Sequence, residues 1–182
     1  MSDPQEQLSE EKEEDEATSL RLKAFLQEAG IPFKVTTHRV VRTSEEAAAV
    51  RGVSLDSGAK AILLKDSKSS PPFCLAVFSA SKRFSSKQFK KVTGRKKIRF
   101  ATTEELWEVA RCVPGAVPPF GSIFEIPLWV DRSLSRQEVI NFNCGLRTAS
   151  ISMTYGDYIT VEKPNVDVFS EEEMELGDSA ET

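Results

Sequence analysis

Two apolar runs, Ala59–Leu64 and Phe73–Phe78, constrain this chain most. Each is strand-length, nearly free of charge and bounded by polar residues, so each is expected to be a buried strand. The polar, proline-containing stretch Ser67–Pro72 separates them and predicts a hairpin. Around this pair the sequence alternates helical and extended patterns. Leu20, Leu22, Phe25 and Leu26 give a helical stripe capped by Thr18 or Ser19 and stopped by Gly30. Thr43-Ser44-Glu45-Glu46 opens a short helix that ends at Gly52, and Ser85–Val92 and Thr102–Cys112 predict two more. Short extended pieces are expected at Phe33–Thr36, Lys97–Phe100, Ile123–Val130, Glu138–Phe142 and Ala149–Met153, with a short helix at Tyr155–Ile159. The expectation is an α/β fold, one mixed-sheet domain with surrounding helices.

The net charge of −4 hides a strong asymmetry. Of 28 acidic and 24 basic residues, eight acids and one base lie in residues 1–16, and six acids lie in 171–182. The remaining body carries 14 acids against 23 bases, a net of +9. Acidic, apolar-poor tails are therefore expected over 1–17 and 167–182, flanking a basic domain over 18–166. The tails read as solvated disorder or as segments that fold back on the basic surface. A basic body calls for a polyanionic partner, with nucleic acid first. No apolar run reaches membrane-spanning length, and the polar N-terminus is neither a signal nor a transit peptide, so a cytoplasmic protein without a membrane partner is expected.

Three features can carry chemistry. The stretch Val113–Gly121, which contains the Gly115–Gly121 loop, holds three prolines and two glycines and is too irregular for helix or central strand. Such a loop either merely connects or aims backbone N–H groups at a ligand. Lys60 lies among apolar residues, where an ammonium either snorkels or meets an anion such as phosphate. Lys82–Arg99 holds nine bases and no acid, among them Lys82, Arg83, Lys87, Lys90 and Lys91, and reads as a phosphate-tracking patch. His38 is the single histidine, and Cys74, Cys112 and Cys144 are widely spaced. That pattern argues against a metal site, a disulfide framework or a Cys–His catalytic pair, and no cofactor is implied. A thiol-dependent enzyme using Cys112 or Cys144 is the weakest of the readings.

The same residues, taken in order, resemble the YbaK/EbsC and prolyl-tRNA-synthetase-associated (ProX/INS-like) editing family. The resemblance covers about Leu20–Pro164. It rests on His38 followed by Thr43-x-Glu45-Glu46-Ala47, on Lys60 after Gly58-Ala59, on Ser79-Ala80-Ser81, on the basic helix, and on Phe100-Ala101-Thr102. The Gly-x-x-x-Pro pair Gly115 and Pro119, then Val130-Asp131 and Asn143-x-Gly145, complete the series. The resemblance implies a trans-acting deacylase that hydrolyses the ester of mischarged tRNA. It implies catalytic roles for Lys60, which would hold the terminal nucleotide, and for Gly115, whose loop would surround the ester carbonyl. Substrate contacts would come from His38, Thr43, Ser81, Pro119, Phe120, Gly121, Asn143 and Gly145. tRNA, and an aminoacyl-tRNA synthetase or multi-synthetase assembly, would be the partners. A non-catalytic tRNA- or synthetase-binding module is the alternative. Arg39 and Ala61 depart from the family's usual residues, so the amino acid removed does not carry over.

Overall fold

The structure is a computed structural model that describes residues 14–172. Helix α1 (Ala17–Glu28) leads into strand β1 (Lys34–Thr37) and helix α2 (Ser44–Arg51). The predicted hairpin follows as β2 (Ala59–Lys65) and β3 (Phe73–Ser79), paired antiparallel over seven residues from Ala59↔Ser79 to Lys65↔Phe73. Next come β4 (Lys82–Phe84), α3 (Ser86–Thr93), β5 (Arg99–Phe100) and α4 (Thr103–Ala110). The second half holds β6 (Leu128–Asp131), β7 (Val139–Leu146), β8 (Ala149–Thr154), α5 (Tyr155–Glu162), β9 (Asn165–Asp167) and β10 (Ser170–Glu172). Among the described residues no helix is long and apolar enough to cross a membrane.

The mixed α/β expectation stands, but the described strands divide among three sheets instead of one. The main sheet has the order β5-β2-β3-β6-β9, and β1-β8-β7 and β4-β10 form the other two. Within the main sheet, β2 runs antiparallel to β3 and β5, whereas β3–β6 and β6–β9 are parallel. A single bridge between Gly58 and Asn141 links the edge of the main sheet to β7.

Alternation along β2 and β3 explains why both strands are apolar throughout. Ala59, Leu63, Leu75 and Val77 face a large core shared with α1, α4, α5 and β7–β8. Leu64, Cys74, Ala76 and Phe78 face a smaller core against Phe89 of α3 and Phe169. A strand covered on both faces needs apolar residues at every position, which is what the two runs supply. On β2 only Lys60, near the start of the strand, is exposed.

Local signals placed most helices. Thr43 and Ser85 accept from the backbone N–H groups of Glu46 and Gln88, and Thr102 with Glu105 forms a full capping box on α4. The start of α1 is different. The Thr18 hydroxyl donates to the Ala110 carbonyl and Ser19 packs on Cys144, so neither caps the helix, and Leu20 is exposed instead of joining the stripe. Long-range partners outweighed the cap here. The strand expected over Ile123–Val130 begins only at Leu128. Ser122–Phe124 is a 3-10 turn, Glu125 adopts φ 55°, and Pro127 lacks the donor a strand needs. The piece expected over Lys97–Phe100 shortens to Arg99–Phe100.

The domain also extends past residue 166. Strand β10 pairs with β4, Phe169 is wholly buried against Phe84 and Phe89, and the Asp131 carboxylate accepts from the N–H groups of Phe169 and Ser170. Composition alone missed this because one phenylalanine anchors an otherwise acidic stretch. Glu171 and Glu172 pair with Arg83 and Lys82, so this part of the acidic segment does fold back on the basic surface. At the other end, Glu14 accepts from Arg147. The rest of both acidic tails, 1–13 and 173–182, lies outside the described residues.

If 167–172 belongs to the core, Phe169→Ala is expected to cost about 3–5 kcal/mol in urea unfolding, the usual figure for emptying a buried phenylalanine site. A loss below about 1 kcal/mol would return this segment to the tail.

Candidate active site

A cavity of about 590 Å³ opens where the main sheet meets the three-stranded sheet. Lys60 and Ile62 of β2 supply one wall, with Phe78, Lys82, Arg83 and Phe84 beyond them. Helix α2 and the segment before it bring Arg42, Thr43 and Arg51. Gly115 and Val117 of the Gly/Pro loop close a third side with Asn141 and Asn143 of β7. Five basic side chains thus line it against one carboxylate, Glu45. Lys60 and Gly115, far apart in sequence, converge on this single space.

The two differ in how they are held. Lys60 sits on a strand with its side chain toward solvent, and among the described residues its ammonium has no hydrogen bond or ion pair. An unpaired cation at the mouth of a cavity is ready for an anionic ligand. Gly115 has φ 86°, a left-handed conformation that disfavours a side chain. Its carbonyl accepts from Asn143 Nδ2 at 2.7 Å, which turns that carbonyl toward β7. Pro114, Pro118 and Pro119 carry no N–H, and the Ala116 N–H is used by the Val113 carbonyl. The N–H groups of Gly115 and Val117 have no partner among the described residues. Both residues line the cavity, so among the described residues these are the loop's N–H groups left without a protein partner there.

The loop is anchored from behind. The buried Tyr158 hydroxyl donates to the Pro119 carbonyl at 2.6 Å. Glu162 accepts from the N–H groups of Gly121 at 2.9 Å and Ser122 at 3.2 Å. Burial pushes the Glu162 carboxyl above its ordinary range, and the Ser122 hydroxyl and the two N–H groups oppose that.

Behind Asn143 lies a polar network centred on Arg51. Its Nη2 donates to Asn143 Oδ1 at 2.7 Å and its Nε to Ser150 Oγ at 2.8 Å. Burial lowers the guanidinium to about 10, so it stays charged at neutral pH. His38 joins from the far side, with Nε2 at 2.7 Å from Ser150 Oγ and Nδ1 at 2.8 Å from the Arg39 carbonyl. A carbonyl only accepts, so Nδ1 must carry a proton. In neutral His38, Nε2 is then an acceptor and shares the single Ser150 hydroxyl proton with Asn143 Oδ1, 3.3 Å from the same oxygen. A chain of polar contacts runs from His38 through Ser150, Arg51 and Asn143 to Gly115.

Residues 38–161 match the aminoacyl-tRNA editing domain family. The chain belongs to that family. It is 31% identical over 151 residues to the multifunctional Ser/Thr-tRNA deacylase ProXp-y of Escherichia coli (strain K12), covering 82% of this chain and 90% of that protein. The protein of the same name from Escherichia coli O157:H7 matches equally. Among solved structures, a candidate trans-editing enzyme for prolyl tRNA synthetase shares the fold with a TM-score of 0.76 at 23% identity, over 85% of this chain and 98% of the other.

The editing-family resemblance names more site residues than the cavity gathers. Lys60, Gly115, Thr43, Asn143, Lys82 and Arg83 line it. Lys87, Lys90 and Lys91 lie exposed on α3. His38 is outside the lining and touches the polar network behind it at Ser150. Ser81 donates to Asp56 behind the hairpin end. Pro119 and Phe120 are buried, and Phe120 packs against Phe142 and Tyr158 in the large core. Gly121 and Gly145 are structural: a Cβ would lie 2.6 Å from the Ile126 carbonyl at the first and 2.9 Å from the Ser19 nitrogen at the second. The motif G-A-V-P-P-F-G therefore presents its N-terminal half to the cavity and uses its C-terminal half as an anchor.

Arg51 and Asn141 are cavity residues that the sequence reading passed over. Arg51 ends an alanine-rich helix, where a basic residue ordinarily serves the helix dipole. Its burial comes from β7 and β8, which are remote in sequence. The thiols move the opposite way. Cys112 and Cys144 are buried in the large core, and burial raises the Cys112 thiol to about 12 and the Cys144 thiol above its ordinary value. Neither meets the exposure and low pKa that a nucleophilic thiol needs.

Asn143→Ala should free the Gly115 carbonyl and leave Arg51 short of a partner. The expected loss is about 1–3 kcal/mol of stability. Faster hydrogen exchange is expected at Gly145, whose N–H is held by the Ala116 carbonyl. Unchanged exchange there would show that Asn143 does not hold the loop.

Proposed function

We propose that this protein is a trans-acting aminoacyl-tRNA deacylase, hydrolysing the ester between a wrong amino acid and the terminal ribose of tRNA. The observation that carries the reading is the convergence of an unpaired Lys60 ammonium and the free N–H groups of Gly115 and Val117 on one cavity. Family membership and the deacylase activity named for the Escherichia coli relative support it.

The chemistry needs few groups. Water adds to the ester carbonyl, and the carbonyl oxygen gains negative charge. Two backbone donors fixed by the Asn143 tether are suited to that charge, and one such donor is typically worth a 10²–10³-fold rate effect, roughly 3–4 kcal/mol. Lys60 holds the anionic nucleotide so that the ester lies against the loop. The tetrahedral species then expels the ribose oxygen, which takes up a proton as the amino acid leaves. No protein nucleophile is required. A free ribose hydroxyl of the tRNA can assist the attacking water. The mechanism is positioning and electrostatics, in keeping with a cavity that offers amide donors and cations and a single carboxylate.

The amino acid would lie on the Gly115 side, among Val117, Asn141 and Asn143. That space is lined by amides and one aliphatic side chain, which suits a small polar residue. Serine and threonine, named for the Escherichia coli relative, are the first substrates to try. The exposed lysines of α3 extend the positive surface for the tRNA body. A substrate produced in translation puts the work in the cytoplasm. Docking to a synthetase is a further use for the same basic surface, and recovery of synthetases by the protein without any hydrolysis would favour the binding-module reading.

Purified protein is expected to release serine or threonine from mischarged tRNA, measured with labelled amino acid. Lys60→Ala is expected to lower kcat/KM by about 10²-fold or more, of the order that loss of a positioning contact produces. No release above buffer across alanyl, seryl, threonyl and cysteinyl tRNA would remove the enzyme reading.

A further inference from the structure

One aromatic ring is out of place. Among the described residues Phe100 is the single exposed aromatic side chain, at 60% of its full surface. Every other described phenylalanine, tyrosine and tryptophan is buried or half-buried. Phe100 lines the cavity, at its edge formed by the outer strand β5. It is not loosely hung. Its ring centroid is 6.0 Å from that of Phe84, which in turn packs on Phe78, Phe89 and Phe169 of the smaller core. Next to it in sequence, Arg99 forms a two-pronged pair with Glu105, and Lys65 of β2 donates to the same carboxylate at 2.7 Å. Those contacts hold the Glu105 carboxyl well below the usual carboxylate range, Arg99 first and Lys65 second. The edge strand is thus fastened both to β2 and to α4, with one phenyl face left toward solvent.

The register gives the distance. Phe100 pairs with Leu64, and Lys60 precedes Leu64 by four residues on the same face of β2. At about 3.4 Å per residue, that separates Lys60 and Phe100 by roughly 13 Å along the strand. Ile62, which also lines the cavity, forms the floor between them. The separation is one of backbone, which the two side chains shorten by reaching into the same cavity, and a nucleotide held at the lysine ammonium has its base on the side of the phenyl ring. Lys82 and Arg83, which lead into Phe84, are paired with Glu172 and Glu171, whereas Lys60 in the same cavity is unpaired among the described residues. A flat π face in one cavity with an unpaired cation fits a ligand that is both planar and anionic.

We propose that Phe100, backed by Phe84, is the stacking platform for the terminal nucleobase of the RNA. This deepens the deacylase reading and rests on it for the placement of the sugar at Lys60. The cavity then has two ends: the amide-lined end at Gly115 and Asn143 takes the amino acid, and the aromatic end at Phe100 takes the base. Stacking is tolerant of base identity because every base offers a π face. Recognition at this end is therefore expected to depend on having a base and not on which base it is.

The test uses uncharged RNA, so that it does not depend on hydrolysis. A short labelled RNA hairpin ending in CCA, and the same hairpin with an abasic 3′ nucleotide, are titrated with full-length protein by fluorescence anisotropy. Wild type is expected to bind the intact end about tenfold more tightly than the abasic end, within the range for a base stacked on one aromatic ring. Phe100→Ala should bind both alike, and Phe100→Tyr should keep the preference. The salt dependence should be the same for wild type and Phe100→Ala, because stacking neutralises no phosphate. The proposal is overturned if wild type shows no preference, or if Phe100→Ala retains it. Thermal unfolding of each variant checks that the fold is intact, as an exposed side chain predicts. Loss of deacylation with the base preference intact would count against the catalytic reading alone.

Discussion

The antiparallel pairing of β2 with β3 is the constraint on which the rest of this molecule depends. Seven consecutive residue pairs fix the register, and both faces of the hairpin are covered. A slip of one residue would turn every side chain to the opposite face. Leu63 and Val77 would leave the large core, and the Lys60 side chain would turn toward apolar packing, where an unpaired ammonium is strongly disfavoured. The correct register therefore does two things at once. It builds two cores, and it delivers one lysine to the open end of a strand that is otherwise inside. The function proposed for Lys60 is a consequence of a position that folding already enforces.

The second element of the site is made by tertiary contact and not by local preference. A Gly/Pro loop has many conformations open to it, and the prolines remove donors that might otherwise lock it to its neighbours. Asn143 from β7, Tyr158 and Glu162 from α5, and the backbone of Gly145 each hold a different part of the loop. Asn143 is in turn held by Arg51, a charged group largely withdrawn from water. Burying a cation is costly unless hydrogen bonds satisfy it, and here one of them also holds Asn143, which tethers the loop that carries Gly115. Stability and site geometry share the same bonds in this region.

Much of this was legible in the residues themselves. The two apolar runs specified the central hairpin, and the caps at Thr43, Ser85 and Thr102 specified where three helices begin. Lys60 and the Gly115 loop could be singled out because a lone lysine in an apolar run and a Gly/Pro-dense stretch are unusual whatever the fold. What could not be read was how distant segments meet. Thr18 has the composition of a cap, yet its hydroxyl goes to Ala110, ninety-two residues away. Phe120 and Gly121 belong to the same short motif as Gly115, but the chain turns between them and sends them into the core. Arg51 carries no local mark of burial, since strands from the far end of the sequence cover it. Phe169 made the same point at the C-terminal side, where one buried ring outweighed the acidic composition around it.

The central claim is that the Gly115 and Val117 amides and the Lys60 ammonium act on one ester. It is tested most directly by a crystal structure with an adenosine carrying serine through a non-hydrolysable 3′ amide. The account requires the seryl carbonyl oxygen within hydrogen-bond reach of the Gly115 or Val117 nitrogen, with the sugar end beside Lys60. An ordered ligand bound away from the Gly115 loop, or one whose carbonyl faces Asn141 with the loop amides turned to solvent, would contradict it.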